Sequence, residues 1–247
     1  MDRAQRLALA EAIARRCQEV WGERLLALGL YGSLARGEDG PYSDIEMYAV
    51  LRGEGEAFSY EWSAGPWKAE VDVYTPDVLL ARAARVDERW PLVAGVYCQV
   101  RPLYDPEGFF RRLRQTAAAI PPERFRQAVE ETLVGELYEL IGKARNARVR
   151  GEESYLPELA VKTAHQGAMV LGLHHRRWYT AGSRVLPEAL ALPDRPPGFD
   201  PLARMVMAGR LSSPDAVTAA LEGFWAGVTE WARRHGYRID SPQAIPF

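Results

Sequence analysis

Residues 25–51 read LLALGLYGSLARGEDGPYSDIEMYAVL, and this stretch decides the fold of the first half of the chain. Its apolar start predicts a buried strand that ends in a tight turn at Gly32. Residues 44–51 predict a second strand, because their first half alternates acidic with apolar side chains. Ten residues separate Ser33 from Asp44, which is enough for a short helix that returns the chain and lays the second strand beside the first.

The flanking sequence extends this pattern on both sides. Residues 3–21 have a helical periodicity that ends at Gly22, and residues 67–75 (WKAEVDVYT) alternate as a strand. A loop rich in Gly and Glu joins residues 44–51 to residues 67–75, so we expect these two strands to pair as an antiparallel hairpin. Residues 96–104 (VYCQVRPLY) predict a further strand.

The second half of the chain is predicted to be almost entirely helical. Proline after a capping residue marks several helix starts. Predicted helices begin at Thr75-Pro76 and Asp105-Pro106, then cover residues 122–151 and 157–175, a segment opening at Asp200-Pro201, and residues 214–236. The proline pair Pro121-Pro122 marks a boundary. The fold class is therefore α+β, with a mixed sheet in a domain of residues 1–120 and an all-helical bundle in residues 121–247.

Composition excludes several classes of protein. With 47% hydrophobic residues in 247 and a net charge of −2, the chain can bury a core but has no basic field to hold a long nucleic acid. No segment has the pattern of a signal peptide or a membrane span. Two cysteines, Cys17 and Cys98, are too few for a disulfide framework or a cysteine zinc site, so we expect a reducing, cytoplasmic setting.

The chemistry is concentrated at Gly32-Ser33 and at Asp44 and Glu46. A glycine-serine turn after a strand presents backbone N–H groups and a hydroxyl to an anion such as phosphate. Asp44 and Glu46, at i and i+2, lie on the same side of a strand and suit Mg²⁺, which bridges nucleotide phosphate oxygens. Alone, the acidic pair is more often part of a solvated face, and the Gly-Ser pair is more often an ordinary turn. Together they favour phosphoryl or nucleotidyl transfer, and the P-loop and kinase patterns are absent.

These residues carry a resemblance to a known family. Gly-Ser followed by Asp-x-Glu resembles the signature of the polymerase-β-like nucleotidyltransferases. The fuller string YGSLARGEDGPYSDIEM (31–47) resembles the aminoglycoside nucleotidyltransferases of the kanamycin 4′-adenylylating type. The resemblance continues through FSYEWSAGPWKAEV (58–71), GELYELIGKARN (135–146), GAMVLGLHHR (167–176), RRHGY (233–237) and the ending IPF (245–247). It therefore covers nearly the whole chain.

For the nucleotide, the resemblance implies that Asp44 and Glu46 bind Mg²⁺. It places Ser33 and the Gly32 amide near the terminal phosphates of ATP, with other nucleoside triphosphates left open. Arg36 is one helical turn further on, where it either contacts phosphate or is an ordinary surface arginine.

For catalysis, the resemblance implies a third acid on a neighbouring strand and a general base on the long helix. Glu70 is the preferred third acid, and Asp72 is the alternative. Glu139 would be the base and Lys143 a phosphate contact. Glu136, Glu139 and Lys143 share one helix face beside an apolar stripe. An ordinary exposed pair of Glu139 and Lys143 is the competing interpretation.

For the acceptor, an aminoglycoside is a polycation, so carboxylates are expected to bind its ammonium groups. The candidates are Glu61, Glu70, Glu136 and Glu139. The subfamily tends to have two acids where this chain has Gly135-Glu136, which leaves the range of antibiotics open. The family shares its active site across a two-fold dimer, so we expect a homodimer in which the long helix serves either its own or the partner's cleft.

The expected function is transfer of AMP from Mg·ATP to a hydroxyl, the 4′-hydroxyl by resemblance, of kanamycin-like antibiotics, with release of pyrophosphate. One alternative is a nucleotidyltransferase that acts on protein or RNA, although the near-neutral charge argues against RNA. Another is an inactive module that binds nucleotide or antibiotic, although Asp44 and Glu46 are both present. The four histidines, His165, His174, His175 and His235, lack metal-site spacing, so we expect core or helix-end roles and no metal other than Mg²⁺.

Overall fold

The computed structural model describes residues 1–64 and 67–239. Gly65-Pro66 and the ending 245–247, both part of the resemblance above, lie outside the described residues. The chain divides into two units. The first contains residues 1–85 and 94–120, and the second contains residues 86–93 and the chain from 121 onward.

A mixed sheet of five strands forms the centre of the first unit. The strands are β1 (Leu25–Tyr31), β2 (Ile45–Leu51), β3 (Phe58–Ala64), β4 (Trp67–Tyr74) and β5 (Arg101–Tyr104). The helices are α1 (Arg3–Trp21), α2 (Gly32–Arg36), α3 (Pro76–Ala83), α4 (Trp90–Cys98), whose first turn belongs to the second unit, and α5 (Phe109–Ala118). All seven residues of β1 are buried, which confirms the predicted buried strand before Gly32.

The strand order is β3-β4-β2-β1-β5, and it corrects the expected hairpin. β2 pairs with β4 in parallel, whereas β1 pairs with β2 and β3 pairs with β4 in the antiparallel sense. The segment predicted as a loop contains the edge strand β3, which pairs with β4. Because β3 reverses the chain once more before β4, β2 and β4 run in the same direction.

Only the last part of the strand predicted at residues 96–104 is a strand in the structure. Residues Trp90–Cys98 form α4, and Arg101–Tyr104 alone form β5. Pro91 stands in the first turn of α4, where its fixed φ favours a helix. The helix predicted at Asp105-Pro106 begins later, at Phe109, and the Asp105 carboxylate accepts hydrogen bonds from the N–H groups of Phe109 and Phe110.

Helices make up the second unit, as predicted. They are α6 (Pro122–Glu131), a π-helical segment (Thr132–Leu137), α7 (Tyr138–Arg150), α8 (Leu156–His175), α9 (Val185–Ala191), α10 (Phe199–Met207) and α11 (Pro214–Arg234). The first three form the long predicted helix, and α9 was not predicted. Within the described residues, no helix combines the length and the apolar composition that crossing a membrane requires.

Candidate active site

The two faces of the sheet have different roles. One face packs Ile45, Met47 and Val71 with helix α1 in a hydrophobic cluster. The opposite face carries the alternate residues, including Tyr31 and Tyr48, which cluster with apolar residues of α3 and α5. Since side chains alternate along a strand, the acids of β2 and β4 lie on this second face.

Register aligns three carboxylates across three neighbouring strands. Glu46 of β2 is the direct partner of Glu70 in β4, and Glu70 is the direct partner of Glu61 in β3. Adjacent strands are about 4.8 Å apart, so these side chains lie next to one another on one face. We call Glu46, Glu70 and Glu61 the acidic row. Asp44 immediately precedes β2, two residues before Glu46.

The Gly-Ser turn and the acidic row are in direct contact. Gly32 has a φ of +71°, and a Cβ placed on it would lie 1.7 Å from Oε2 of Glu46. A side chain at this position would therefore overlap the carboxylate. The Gly-Ser turn and the acid Glu46, which the sequence predicts to lie beside each other, are therefore adjacent in the structure.

Gly32→Ala is expected to lower kcat/KM by about 10- to 100-fold, because the new methyl group displaces the Glu46 carboxylate, and a shift of about 1 Å in a catalytic group can cost that much. Steady-state pyrophosphate release with ATP and an aminoglycoside measures this. Gly209→Ala is the matched control, since Gly209 also has a positive φ (+64°) and a Cβ on it meets no atom within 4 Å. Equal activity of the two variants would contradict the role given to Gly32.

Repulsion between carboxylates characterises this site. Burial, followed by the charges of Asp44 and Glu70, raises the pKa of Glu46 from 4.5 to about 7, and Arg36 opposes this only in part. Burial, followed by neighbouring carboxylates, also raises the pKa of Glu70. The site is short of positive charge, and a cation would relieve the repulsion.

This electrostatic imbalance predicts how stability depends on pH. The pKa of Glu46 is higher in the folded protein than in the unfolded chain. Its contribution to the free energy of unfolding is therefore fully present below pH 4.5 and is lost as the pH rises to about 7. We expect Mg²⁺ to restore the thermal midpoint above pH 7 and to have little effect near pH 5. Thermal unfolding with EDTA or with Mg²⁺ across this range measures the effect, and Glu46→Gln should abolish it. A Mg²⁺ effect that is equal at pH 5 and pH 8 would contradict the prediction.

Tyr31 and Lys68 also lie on this face of the sheet, and the sequence analysis predicted neither of them as a site residue. Tyr31 stacks on Tyr48 with ring centroids 4.2 Å apart, and its hydroxyl donates to Oδ2 of Asp72 at 3.0 Å and to Oε1 of Glu70 at 3.4 Å. Lys68 Nζ lies 2.9 Å from Oε2 of Glu61 and 3.6 Å from Oε2 of Glu70. The Tyr31 hydroxyl thus contacts both acids, Asp72 more closely, and Glu70 is the one in register with Glu46.

The connection from Ser33 to Asp44 is fixed by a buried ion pair that the sequence did not reveal. Arg6 of α1 donates to Oδ2 of Asp39 at 2.5 and 3.0 Å and to the Pro41 carbonyl at 3.3 Å. The two side chains are 3% and 0% exposed, so breaking the pair would leave a buried charge. The pair holds the loop in place between the Gly-Ser turn and the acids. Arg36, the candidate phosphate contact, is paired with Glu38 at 2.9 Å.

The remaining candidates lie in the second unit. Glu136, Glu139 and Lys143 are exposed, and the predicted apolar stripe of Leu133, Leu137, Leu140 and Ala144 is buried. Lys143 Nζ lies 2.5 Å from Oε1 of Glu139 in an exposed i,i+4 pair. The structure therefore groups Asp44, Glu46, Glu61, Glu70 and the Gly-Ser turn in one unit, and Glu136, Glu139 and Lys143 in the other.

Comparison with known proteins identifies the family. The family described as KNTase C-terminal domain matches residues 107–238. Two relatives, from a Bacillus species and from Staphylococcus aureus, are both named aminoglycoside nucleotidyltransferase (4′). Each is 42% identical over 247 residues, which covers 100% of this chain and 98% of the relative.

A solved structure shows a similar fold. The crystal structure of a nucleotidyltransferase-like protein from Exiguobacterium sibiricum has a TM-score of 0.58 and 12% sequence identity, and the match covers 92% of this chain and 77% of that one. At this identity the likeness concerns the fold alone. The identity of the full-length relatives and the matching family domain show that the chain belongs to the aminoglycoside nucleotidyltransferase (4′) family.

Proposed function

We propose that the protein transfers AMP from Mg·ATP to a hydroxyl of an aminoglycoside, the 4′-hydroxyl of kanamycin-like antibiotics, and so confers resistance in the cytoplasm. The full-length similarity to two enzymes of that name supports the substrate class. The observation that carries the chemistry is the Glu46 carboxylate, which lies against the Gly32 backbone and in register with Glu70.

The acids of the first unit fit Mg²⁺. Carboxylate oxygens are the ligands this cation prefers, and the raised pKa of Glu46 indicates a site that lacks a positive charge. Asp44 and Glu46 would be its two protein ligands, since Mg²⁺ is usually bound by one or two carboxylates and takes its other ligands from phosphates and water. Glu70 is the proposed third acid. When bound, Mg²⁺ neutralises phosphate charge and polarises the α-phosphoryl group.

Residues near the turn would hold the triphosphate. Ser33 and the Gly32 amide face the same end of the sheet as Glu46, because Gly32 follows the last residue of β1 and Tyr31 is the register partner of Glu46. Arg36 is close enough to lower the pKa of Glu46, and exchanging Glu38 for a phosphate oxygen would require only a side-chain movement. We assign the terminal phosphates to these groups.

Lys68 indicates how the acceptor could be recognised. Its ammonium group lies between the carboxylates of Glu61 and Glu70, so this part of the acidic row can bind an ammonium group. We assign an aminoglycoside ammonium to the same carboxylates, with Lys68, which is largely exposed, swinging away. Glu136 supplies a further carboxylate, and the absence of a second acid at Gly135 would narrow or shift the antibiotic range.

Attack by the acceptor hydroxyl on the α-phosphorus forms the new P–O bond as pyrophosphate leaves. The hydroxyl proton needs an acceptor, and we assign Glu139 to that role and Lys143 to a phosphate contact. The exposed pair of Glu139 and Lys143 leaves both side chains accessible to substrate. We further propose a homodimer with shared active sites, in which this helix serves its own or the partner's nucleotide site.

Incubation with ATP, Mg²⁺ and kanamycin tests the function, with pyrophosphate release as the readout. We expect release that depends on the drug, and mass spectrometry should show kanamycin gaining one AMP. Kanamycin lacking the 4′-hydroxyl is the control for position. Release without the drug but with RNA or protein would favour the alternative acceptor, and binding of ATP without release would favour an inactive module.

A further inference from the structure

Three side chains from distant parts of the second unit meet at one point. His174 is at the end of α8, Asp194 is in the loop after α9, and His235 directly follows α11. In the described part of the chain, this is the only group of three His, Cys, Asp or Glu residues whose ligand atoms lie within 4.8 Å of one another. Oδ2 of Asp194 is 2.7 Å from Nε2 of His235 and 3.8 Å from Nε2 of His174.

Both histidines direct a ring nitrogen toward Asp194. Nε2 of His235 is buried and lies at ion-pair distance from Oδ2 of Asp194, although the contact does not have the geometry of a hydrogen bond. Nδ1 of His174 pairs with the Tyr237 hydroxyl at 2.8 Å, which orients the ring and directs Nε2 toward Asp194. Metal-binding histidines commonly use their other nitrogen in this way.

The position of Asp194 is fixed by contacts on its Oδ1 atom and its main chain. Arg234 Nη2 donates to Oδ1 at 2.8 Å, and Trp231 Nε1 donates to the Asp194 main-chain carbonyl at 3.0 Å. Asp194 also has a φ of +48°, in the left-handed region that costs energy for a residue with a side chain. These restraints leave Oδ2 facing the two histidines.

We propose that His174, Asp194 and His235 form a binding site for a divalent transition metal of the zinc class. Two imidazole nitrogens and one carboxylate oxygen are typical zinc ligands, with bonds of about 2.0–2.2 Å. Tetrahedral ligand atoms at such bond lengths are about 3.4 Å apart. The observed 2.7 and 3.8 Å lie on either side of this value, so small side-chain movements suffice.

A fourth ligand can come from water. A cavity of about 250 Å³, lined by Arg126, Arg176 and Tyr237 among others, reaches one member of the cluster, His174. The metal would connect the end of α8, the loop after α9 and the end of α11. Its role is therefore to stabilise the second unit, separately from the carboxylates that serve the nucleotide.

Zinc titration of the full-length, tag-free protein tests this site. The protein is treated with EDTA, dialysed into excess Mg²⁺ to occupy carboxylate sites, and titrated with Zn²⁺ by calorimetry. We expect one Zn²⁺ per chain and a thermal midpoint that rises by several degrees, because a ligand that binds only the folded state stabilises it. Co²⁺ in place of Zn²⁺ should give the intense visible absorption of tetrahedral coordination.

Two variants and one control make the result specific. Asp194→Asn keeps the side-chain shape and tolerates the left-handed backbone, and His235→Gln removes a ligand nitrogen. Each should weaken Zn²⁺ binding at least tenfold, whereas His165→Gln, on α8 outside the cluster, should bind as the parent does. Absence of Zn²⁺ binding, unchanged binding in Asp194→Asn, or loss of binding in Asp44→Asn instead would each overturn the proposal.

Discussion

Asp44→Asn is expected to lower kcat for drug-dependent pyrophosphate release by about 10³-fold. The asparagine keeps the shape of the side chain but removes one of the two anionic ligands proposed for Mg²⁺. Residual activity should require a higher Mg²⁺ concentration than the parent enzyme does. Initial rates measured over a range of Mg²⁺ concentrations separate this from a loss of drug binding.

Asp44→Asn should lower the activity of the protein without lowering its thermal stability. The Asp44 charge raises the pKa of Glu46, so removing it relieves repulsion in the metal-free protein. We expect the thermal midpoint in EDTA at pH 8 to stay the same or rise. A residue that serves only the fold would lose stability on substitution. Asp77→Asn, an exposed aspartate at the start of α3, is the matched control. Activity in Asp44→Asn comparable to that of Asp77→Asn would contradict the metal-ligand role.

Local pattern was enough to predict the elements that carry Asp44 and Glu46. A fully apolar run followed by Gly32 specifies a buried strand and a turn, and alternation of charged and apolar residues specifies which face each side chain takes. The capping residues and prolines likewise predicted most helix starts in the second half. Each of these patterns involves residues that are close together in the chain, so it can be recognised from the sequence alone.

The pairing of the strands could not be predicted from the sequence in the same way. β3 lies at the sheet edge, and its pairing with β4 decides that β2 and β4 run in parallel. An edge strand is specified by the partner it meets as much as by its own residues. The apolar segment that contains α4 could form a helix or a strand by composition, and Pro91 in its first turn favours the helix.

In the candidate site, too, the positions of residues within one strand could be predicted, and the contacts between distant parts of the chain could not. The positions of Glu46 and Glu70 could be predicted because they lie on strands of recognisable pattern, and Asp44 immediately precedes one of these strands. The contact of Glu46 with Gly32, by contrast, follows from the register of β1 and β2. The pair of Arg6 and Asp39 spans 33 residues and has no periodic signature. His174, Asp194 and His235 are likewise brought together only by the packing of helices.

Glu139→Gln is expected to lower kcat by about 10²- to 10⁴-fold, because the amide cannot accept the proton of the attacking hydroxyl. The KM for ATP should change little if the side chain acts on the acceptor alone. The protein should remain as stable as the parent, because an exposed i,i+4 pair contributes only about 0.2–0.5 kcal/mol.

The chain provides a matched control for this substitution in Glu158 and Lys162. These residues also form an exposed i,i+4 pair, with Nζ to Oε1 at 2.6 Å and side chains about as exposed as those of Glu139 and Lys143. Glu158→Gln removes the same charge from the same kind of pair. Because the energy of an exposed pair is small, we expect Glu158→Gln to change kcat by less than about twofold. Equal activity of the two variants would make Glu139 an ordinary surface residue and leave the acceptor proton to another group, whereas loss in Glu139→Gln alone identifies the base.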